Sequence, residues 1–463
     1  MSIEQILAII IFAGMFIAIM SGKIHRYVPA LIGATLTALL ILTLVDDGAH
    51  SLWQVLRLPD FVHGSWWFGK HAAETATGGP EIGGVNWQTM IFIGGMMVMV
   101  EGMGAAGFFR WLCLLVARAV KYRLVPILIT FMLLSAFLSM FIDSITVMLF
   151  LATVTIELAR LLKFDPVPII IAEIFAANTG GSATMSGDPP NIIIGTHFGF
   201  TFADFAANTG LIAWISILVA VVLFYFFFRK ALRQQASADP AKSSDQYPQP
   251  REAIRNPRLF RLSTGIFISV VILLVTHAQT GLSVGLIGCI AAALTIGAVV
   301  FAARDQLSHV LKGVDWRTLL FFFGLFVCVG GLEVTGVLHE LAKLIGDASG
   351  ANLVIALTFI VWISAFASAI VDNIPFAATM CPVIASLSAD QALALRPLSW
   401  SLALGTDIGG NATPIGASAN VVGTAIAEKE GYRISWGRYC KYAIPAMLLV
   451  VGLCNLYLVL RYA

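Results

Sequence analysis

Residues 6–20, 28–45, 211–228, 281–302 and 443–460 are apolar over lengths that approach or exceed a bilayer-crossing helix. No water reaches the backbone in lipid, so such segments must be helices that bond their amides internally. Composition agrees. Of 463 residues, 59% are hydrophobic and 12% charged, and mean hydropathy is +0.89, too little polar surface for a soluble domain. A net charge of +2 gives no reason to expect a nucleic-acid partner. The six cysteines (Cys113, Cys289, Cys328, Cys381, Cys440, Cys454) sit in apolar stretches without paired spacing and read as core residues, not as disulfides or a zinc site. The first run is read as a true span: Met1–Glu4 carries no Lys or Arg, while Lys23, His25 and Arg26 follow it, the reverse of a signal peptide.

Ten spans are predicted, near 4–21, 28–45, 88–112, 167–194 and 209–230, then 262–278, 281–302, 316–338, 400–424 and 439–460. Between the third and fourth span of each half lies an apolar stretch interrupted by an aspartate, about 124–162 around Asp143 and about 352–394 around Asp372. A carboxylate there is costly in lipid, so each stretch reads as a re-entrant hairpin buried in protein; two plain spans are the competing reading. With the N-terminus outside, 23 of the 28 Lys and Arg fall on the cytoplasmic side: Lys23/Arg26, Arg110–Arg123, Arg160/Lys163, Arg229–Arg261, Arg304–Arg317 and Lys429–Lys441. Arg57, Lys70, Lys343, Arg396 and Arg461 are left outside. The expected location is therefore the inner membrane, with both termini extracytoplasmic. Residues 231–261, rich in Pro, Ser, Gln and basic side chains, read as a solvated cytoplasmic linker between a first repeat, 1–230, and a second, 262–463. Trp53, Phe61, Trp66, Trp67 and Phe68 in the loop 46–85 suggest an interfacial belt.

The halves are related at a constant offset of 229. NWQTMIFIGG at 86–95 faces DWRTLLFFFG at 315–324, SAFLSMFIDS at 135–144 faces SAFASAIVDN at 364–373, and NTGGSATMSGDPPN at 178–191 faces DIGGNATPIGASAN at 407–420. Five spans per half is an odd number, so the second copy is inserted upside down. The expected fold is an all-α polytopic membrane protein of two inverted-topology repeats, each with a re-entrant hairpin and a broken helix, the 167–194 and 400–424 spans being broken. Such proteins build solute sites at the repeat interface.

Paired glycines and, in the first copy, Pro189 and Pro190 interrupt the helices at 178–191 and 407–420. A break of that kind frees amides, carbonyls and two half-helix ends for ions or polar solutes. Close helix packing on small residues is the plainer alternative. Candidate solute-binding residues are Asn178, Thr179, Gly180, Gly181, Ser182, Thr184 and Asn191 at the first break, Asp407, Gly409, Gly410, Asn411, Thr413 and Asn420 at the second, and Asp143, Ser144, Asp372 and Asn373 at the hairpin tips. Asp143 and Asp372 are also candidates for proton or ion coupling, or are hairpin caps; Glu101, Glu173, Glu333 and Asp188 are further intramembrane carboxylates.

At these residues the chain resembles the ion transporter superfamily. The carriers are SMFIDSITVMLFLATVTIELARLLKFDPVPIIIAE, NTGGSATMSGDPPNIIIG, SAIVDNIPFAATMCPVI and GGNATPIGASANVVGTAIAEKEGY. They are most similar to the branch of ArsB arsenite permeases, NhaD-type sodium–proton antiporters and the melanosomal P protein. The resemblance implies a scaffold domain, a transport domain holding hairpins and broken helices, and proton-driven export. Dicarboxylate carriers of the superfamily have Ser-Asn-Thr where this chain has Asp143-Ser144-Ile145 and Asp372-Asn373-Ile374, which argues against a dicarboxylate. The expected function is secondary efflux of arsenite or antimonite against protons, with sodium–proton antiport second and an anion pathway third. Neither a homodimer nor a separate ATPase subunit is decided by the residues. An intramembrane aspartyl protease built on Asp143 and Asp372 lacks the Tyr-Asp and Gly-x-Gly-Asp pair and leaves the duplicated breaks unexplained. No His-Glu-x-x-His, Walker or Rossmann pattern appears, so no enzyme activity, metal or cofactor is expected.

The orientation has a direct test. In a cysteine-free background, Ser244→Cys should stay unlabelled by an impermeant thiol reagent in intact cells; strong labelling there reverses the assigned topology.

Overall fold

A computed structural model of the protein describes residues 2–21, 24–43, 48–68, 84–235, 248–350 and 352–463, and these form an all-helical bundle. The first half supplies α1 (Ile3–Met20), α2 (Tyr27–Thr37), α3 (Gly48–Leu56), α4 (Trp87–Ala106) and α5 (Phe108–Ala119). A hairpin follows, α6 (Leu124–Ser139) and α7 (Ser144–Leu162), then the interrupted pair α8 (Val167–Gly181) and α9 (Pro189–Phe198), then α10 (Leu211–Gln235). The second half supplies α11 (Pro257–Thr280), α12 (Val284–Ala302), α13 (Leu307–Gly313), α14 (Trp316–Val334) and α15 (Val337–Ser349). Its hairpin is α16 (Leu353–Ile370) and α17 (Asn373–Gln391), its interrupted pair α18 (Leu395–Gly409) and α19 (Ser418–Lys429), and α20 (Trp436–Tyr462) ends it. Among the described residues, nine helices are long and apolar enough to cross a membrane, with shorter apolar helices at Tyr27–Leu42, Leu124–Ser139 and Val167–Gly181.

The same local chemistry starts and stops matching elements. Asn86 and Asp315, 229 apart, cap α4 and α14 by accepting from the amides of Thr89 and Thr318. Gly107 and Gly336, again 229 apart, end those helices with φ of +90° and +76°, a conformation that favours glycine. The chain then turns into the amphipathic helices α5 and α15. In α15 the buried residues are Leu338, Ala342, Gly346 and Ser349, one face of a helix. The predicted spans 88–112 and 316–338 therefore run too far, because counting apolar residues passes straight over a glycine that ends the helix. Asp143 and Asp372 begin the second arm of each hairpin as N-caps, Asp143 accepting from the Thr146 amide at 3.0 Å and Asp372 from that of Ile374 at 3.2 Å. Ile142, Ser144, Asn373 and Ile374 are buried at the two tips, while Ile370 beside the second is exposed.

Long-range packing exchanges partners between the halves. Helix α12 lies along α4, and α14 along α2; α19 lies along α7, and α9 along α17. Within each half, α6 packs on α8 and α16 on α18. Glycines set these distances. A Cβ at Gly180 would meet the Ala136 carbonyl oxygen at 2.3 Å, and one at Gly409 the Ala365 Cα at 2.2 Å, so each interrupted helix touches its hairpin backbone to backbone. The break glycines 180, 181, 187, 409, 410 and 416 all have ordinary negative φ, so close approach, not a left-handed turn, requires them.

The linker also departs from its expected form. Its first residues, to Gln235, continue α10, and residues 236–247, including Ser244, lie outside the described residues, as do Lys23 and Lys70. Its end is docked, not solvated: the Tyr122 hydroxyl donates to the Pro248 carbonyl at 3.0 Å, the Arg255 amide to that of Ala106 at 3.2 Å, and Pro250 and Ala253 are buried. Gly107 permits this, since a Cβ there would overlap the Ala253 carbonyl. Of the aromatic belt, Phe61, Trp66 and Trp67 pack on one another in tilted and edge-on contacts, while Trp53 and Phe68 are exposed.

Adding a side chain at the backbone contacts should therefore loosen the bundle. Gly180→Val and Gly409→Val are each expected to cost at least the ~1–3 kcal/mol typical of overpacking, whereas Gly265→Val, with open space around it, should leave thermal unfolding in detergent nearly unchanged.

Candidate functional site

Each interruption is closed by the same two devices. A threonine hydroxyl ties it to the hairpin tip: Thr184 donates to the Met140 carbonyl, and Thr413 to that of Ala369. An asparagine then spans it. The Asn191 amide donates to the carbonyls of Gly181 and Thr184, both at 3.1 Å, and Asn420 to those of Gly410 and Thr413, both at 2.7 Å. These are carbonyls that a helix leaves without partners at its C-terminal end. Asn191 and Asn420 are thus braces through their nitrogen, with only their oxygens left to face the interior. Ser182 bonds the carbonyl of Thr179, closing the end of α8.

The two interruptions meet in one buried polar cluster. The Asn178 amide donates to Asn411 Oδ1 at 3.0 Å and to Asn420 Oδ1 at 2.7 Å, and Asn411 reaches Thr179 at 3.4 Å. Asp188 sits at the start of α9, but Pro189 and Pro190 remove amides that it would otherwise cap. Its carboxylate instead takes the Ser144 hydroxyl from the first hairpin tip at 2.6 Å and the Asn373 amide from the second at 2.8 Å. Asp407 lies beside Asp188 and Asn191, fully buried, and neither of its carboxyl oxygens is in a hydrogen bond. Asn178 Oδ1 and Asn191 Oδ1 are likewise without donors. Asp143 and Asp372 are both within electrostatic reach of Asp188.

The tips differ in how their aspartates are held. Asp143 binds the hydroxyl and amide of Thr146, one turn along its own helix. Asp372 forms an ion pair with Arg26 at 2.9 Å, their side chains 16% and 26% exposed. The same guanidinium donates to Ser418 at 2.7 Å and to Thr318 at 2.9 Å, and lies 5.0 Å from the centre of the Phe321 ring.

The sequence matches the citrate transporter family over residues 15–405. The chain belongs to this family, within the ion transporter superfamily. A 46 kDa membrane protein of Mycobacterium leprae is 34% identical over 382 residues, 82% of this chain and 87% of its own length. An uncharacterised transporter of Mycobacterium tuberculosis is 31% identical over 463 residues, 99% of each chain. The human P protein is 29% identical over 97% of this chain and 59% of its own length. The fold is similar to that of the YdaH transporter of Alcanivorax borkumensis, with a TM-score of 0.54 at 15% identity over 93% of this chain and 95% of that one. It is also similar to MtrF of Neisseria gonorrhoeae, with a TM-score of 0.51 at 13% identity, covering 84% and 83%. As a member of the family, the protein is a multi-pass membrane transporter for a small solute or ion.

The remaining candidates lie apart from the cluster. Glu173 on α8 takes the Thr155 hydroxyl of α7 at 2.5 Å. Glu101 on α4 packs against Gly313 at the end of α13, and Glu333 on α14 lies near Cys381 of α17. Among the described residues, no three His, Cys, Asp or Glu side chains gather closely enough to hold a metal ion. Arg26 is the residue that sequence reasoning passed over, treating it as a loop cation. Its partner lies 346 positions away, and the only hint was Thr318, already matched with Thr89 in the repeat.

Removing the guanidinium should leave Asp372 partly buried without its counter-charge. Arg26→Ala is expected to cost about 1–3 kcal/mol, between exposed and buried ion pairs, with Asp372→Asn restoring part of it; a double-mutant cycle with simply additive effects would show that the pair contributes nothing.

Proposed function

We propose that the protein exports arsenite or antimonite in exchange for protons, with the solute held between the hairpin tips and the two interruptions. The observation that carries this reading is the set of buried oxygens without donors, Asn178 Oδ1, Asn191 Oδ1 and the Asp407 carboxyl, beside Asp188. Arsenite in neutral water is an uncharged trihydroxide. It brings O–H donors to such acceptors and meets no repulsion from Asp143, Asp188, Asp372 and Asp407. Thiol ligands are not needed, and weak hydrogen bonds suit a cargo that must be released again.

Citrate, for which the family is named, fits this cluster poorly. It is polyanionic at neutral pH, and Arg26, the cation at the second tip, is already engaged by Asp372. Sodium–proton antiport is the second reading, favoured by the concentration of carboxylate and amide oxygens that a hard cation prefers. On either reading the protein sits in the inner membrane, with residues 231–261 cytoplasmic and both termini outside, and the carboxylates at the tips couple transport to protons. Moving one charge through the membrane field is worth about 2.3 kcal/mol per 100 mV, so a titrating carboxylate gives the gradient its hold on the cycle.

Everted vesicles under an imposed proton gradient should accumulate arsenite, but not citrate or chloride. Sodium-dependent proton movement without arsenite uptake would select the second reading. At least one of Asp143→Asn and Asp372→Asn should abolish gradient-driven accumulation while sparing solute exchange; normal coupling in both removes the tip aspartates from the mechanism.

A further inference from the structure

The internal repeat places Asn178 and Asp407 at equivalent positions, 229 apart, and likewise Asn191 and Asn420. In one copy the contact between them is complete: Asn178 Nδ2 donates to Asn420 Oδ1 at 2.7 Å. In the other copy Asp407 lies beside Asn191 and Asp188, and neither its carboxyl oxygens nor Asn191 Oδ1 has a hydrogen-bond donor. Turning the Asn191 amide over does not resolve this, because its nitrogen is fixed by the carbonyls of Gly181 and Thr184. What the contact lacks is one hydrogen on Asp407.

We propose that Asp407 is a further proton-binding residue of the site, beside the tip aspartates: in this conformation it is a carboxylic acid whose O–H serves the acceptor oxygens next to it, and it surrenders that proton during the transport cycle. Its neighbour has the opposite surroundings. Both oxygens of Asp188 receive donors, from Ser144 and Asn373, which suits a carboxylate, and two adjacent buried aspartates do not both ionise readily. The helices packed on α18 are α8, α9, α16, α17 and α20. Glu173 on α8 is bound by Thr155, Asp372 at the start of α17 by Arg26, and Asp390 farther along α17 pairs with His339. His197 on α9 lies toward Arg57, Cys381 on α17 toward Glu333, and α16 carries no ionisable side chain. On α20, Arg438 pairs with Asp165 and Cys454 contacts Ser216, while Tyr439 and Cys440 adjoin each other. The charge that acts on Asp407 is that of Asp188.

The proposal deepens the proton-coupled reading above, and two measurements separate their failures. Infrared difference spectroscopy of the purified protein in liposomes, stepped between acid and alkaline pH, should show a protonated-carboxyl band. That band should be lost in Asp407→Asn and kept in Asp188→Asn. Persistence of the band in Asp407→Asn, or its loss in both variants, overturns the assignment whatever the protein transports. Asparagine supplies the missing donor, as Asn178 does, so Asp407→Asn should fold and unfold like the parent. In vesicles its movement of radiolabelled arsenite, or sodium-22, should not respond to an imposed proton gradient, and a gradient response of parental size overturns the proposal. A parent chain that moves neither solute against protons removes the transport reading, and with it the coupling role, while the band still decides where the proton resides.

Discussion

Backbone that leaves the helix inside a membrane protein has to find its hydrogen bonds within the protein, and the architecture follows from that constraint. Asn191 and Asn420 close the two interruptions from within, and Thr184 and Thr413 tie them to carbonyls at the hairpin tips. Asp188 then joins the tips to each other, because two consecutive prolines leave its carboxylate free of its own helix. The hairpins end where they do because their tips are consumed as partners. A hairpin shortened by one turn would leave Asp188 or the Met140 contact without a donor or acceptor.

The internal sequence repeat supplies a frame, and the departures from it supply the chemistry. Where the copies agree, as in Gly107 with Gly336 or Asn191 with Asn420, the residues set backbone geometry. Where they differ, charge enters. Asn178 stands opposite Asp407, Asp188 opposite Ala417, and Pro189 opposite Ser418, which binds both Asp372 and Arg26. The cluster is consequently lopsided, with one cation on the second tip and an acceptor-rich pocket beside the first interruption.

Much of this was legible in the sequence, for a physical reason: apolar runs, glycine pairs and a fixed offset are local signals, and local signals survive without coordinates. Asp143, Asp372, Asn178 and Asp407 all announced themselves through the repeat. What escaped notice depends on approach in space. The helix ends at Gly107 and Gly336 are invisible to hydropathy, since Phe108 and Val337 just beyond them are apolar. Arg26 looked like a topological marker because positively charged residues beside a span usually are. The docking of residues 248–255 was masked by their polar composition, although their backbone, not their side chains, makes the contact with Ala106 and Gly107.

The exchange of packing partners between the halves bears on how such a chain is made. Helix α4 rests on α12 and α7 on α19, and Asp188 takes half of its donors from Asn373. A ribosome delivers the first half well before any of these partners exist. The early helices must therefore wait in the bilayer with an unfinished polar interior, and chain elongation, not the first half's own sequence, sets when the bundle can close. Cutting the gene between the halves would give two fragments that recover a fold only by finding each other.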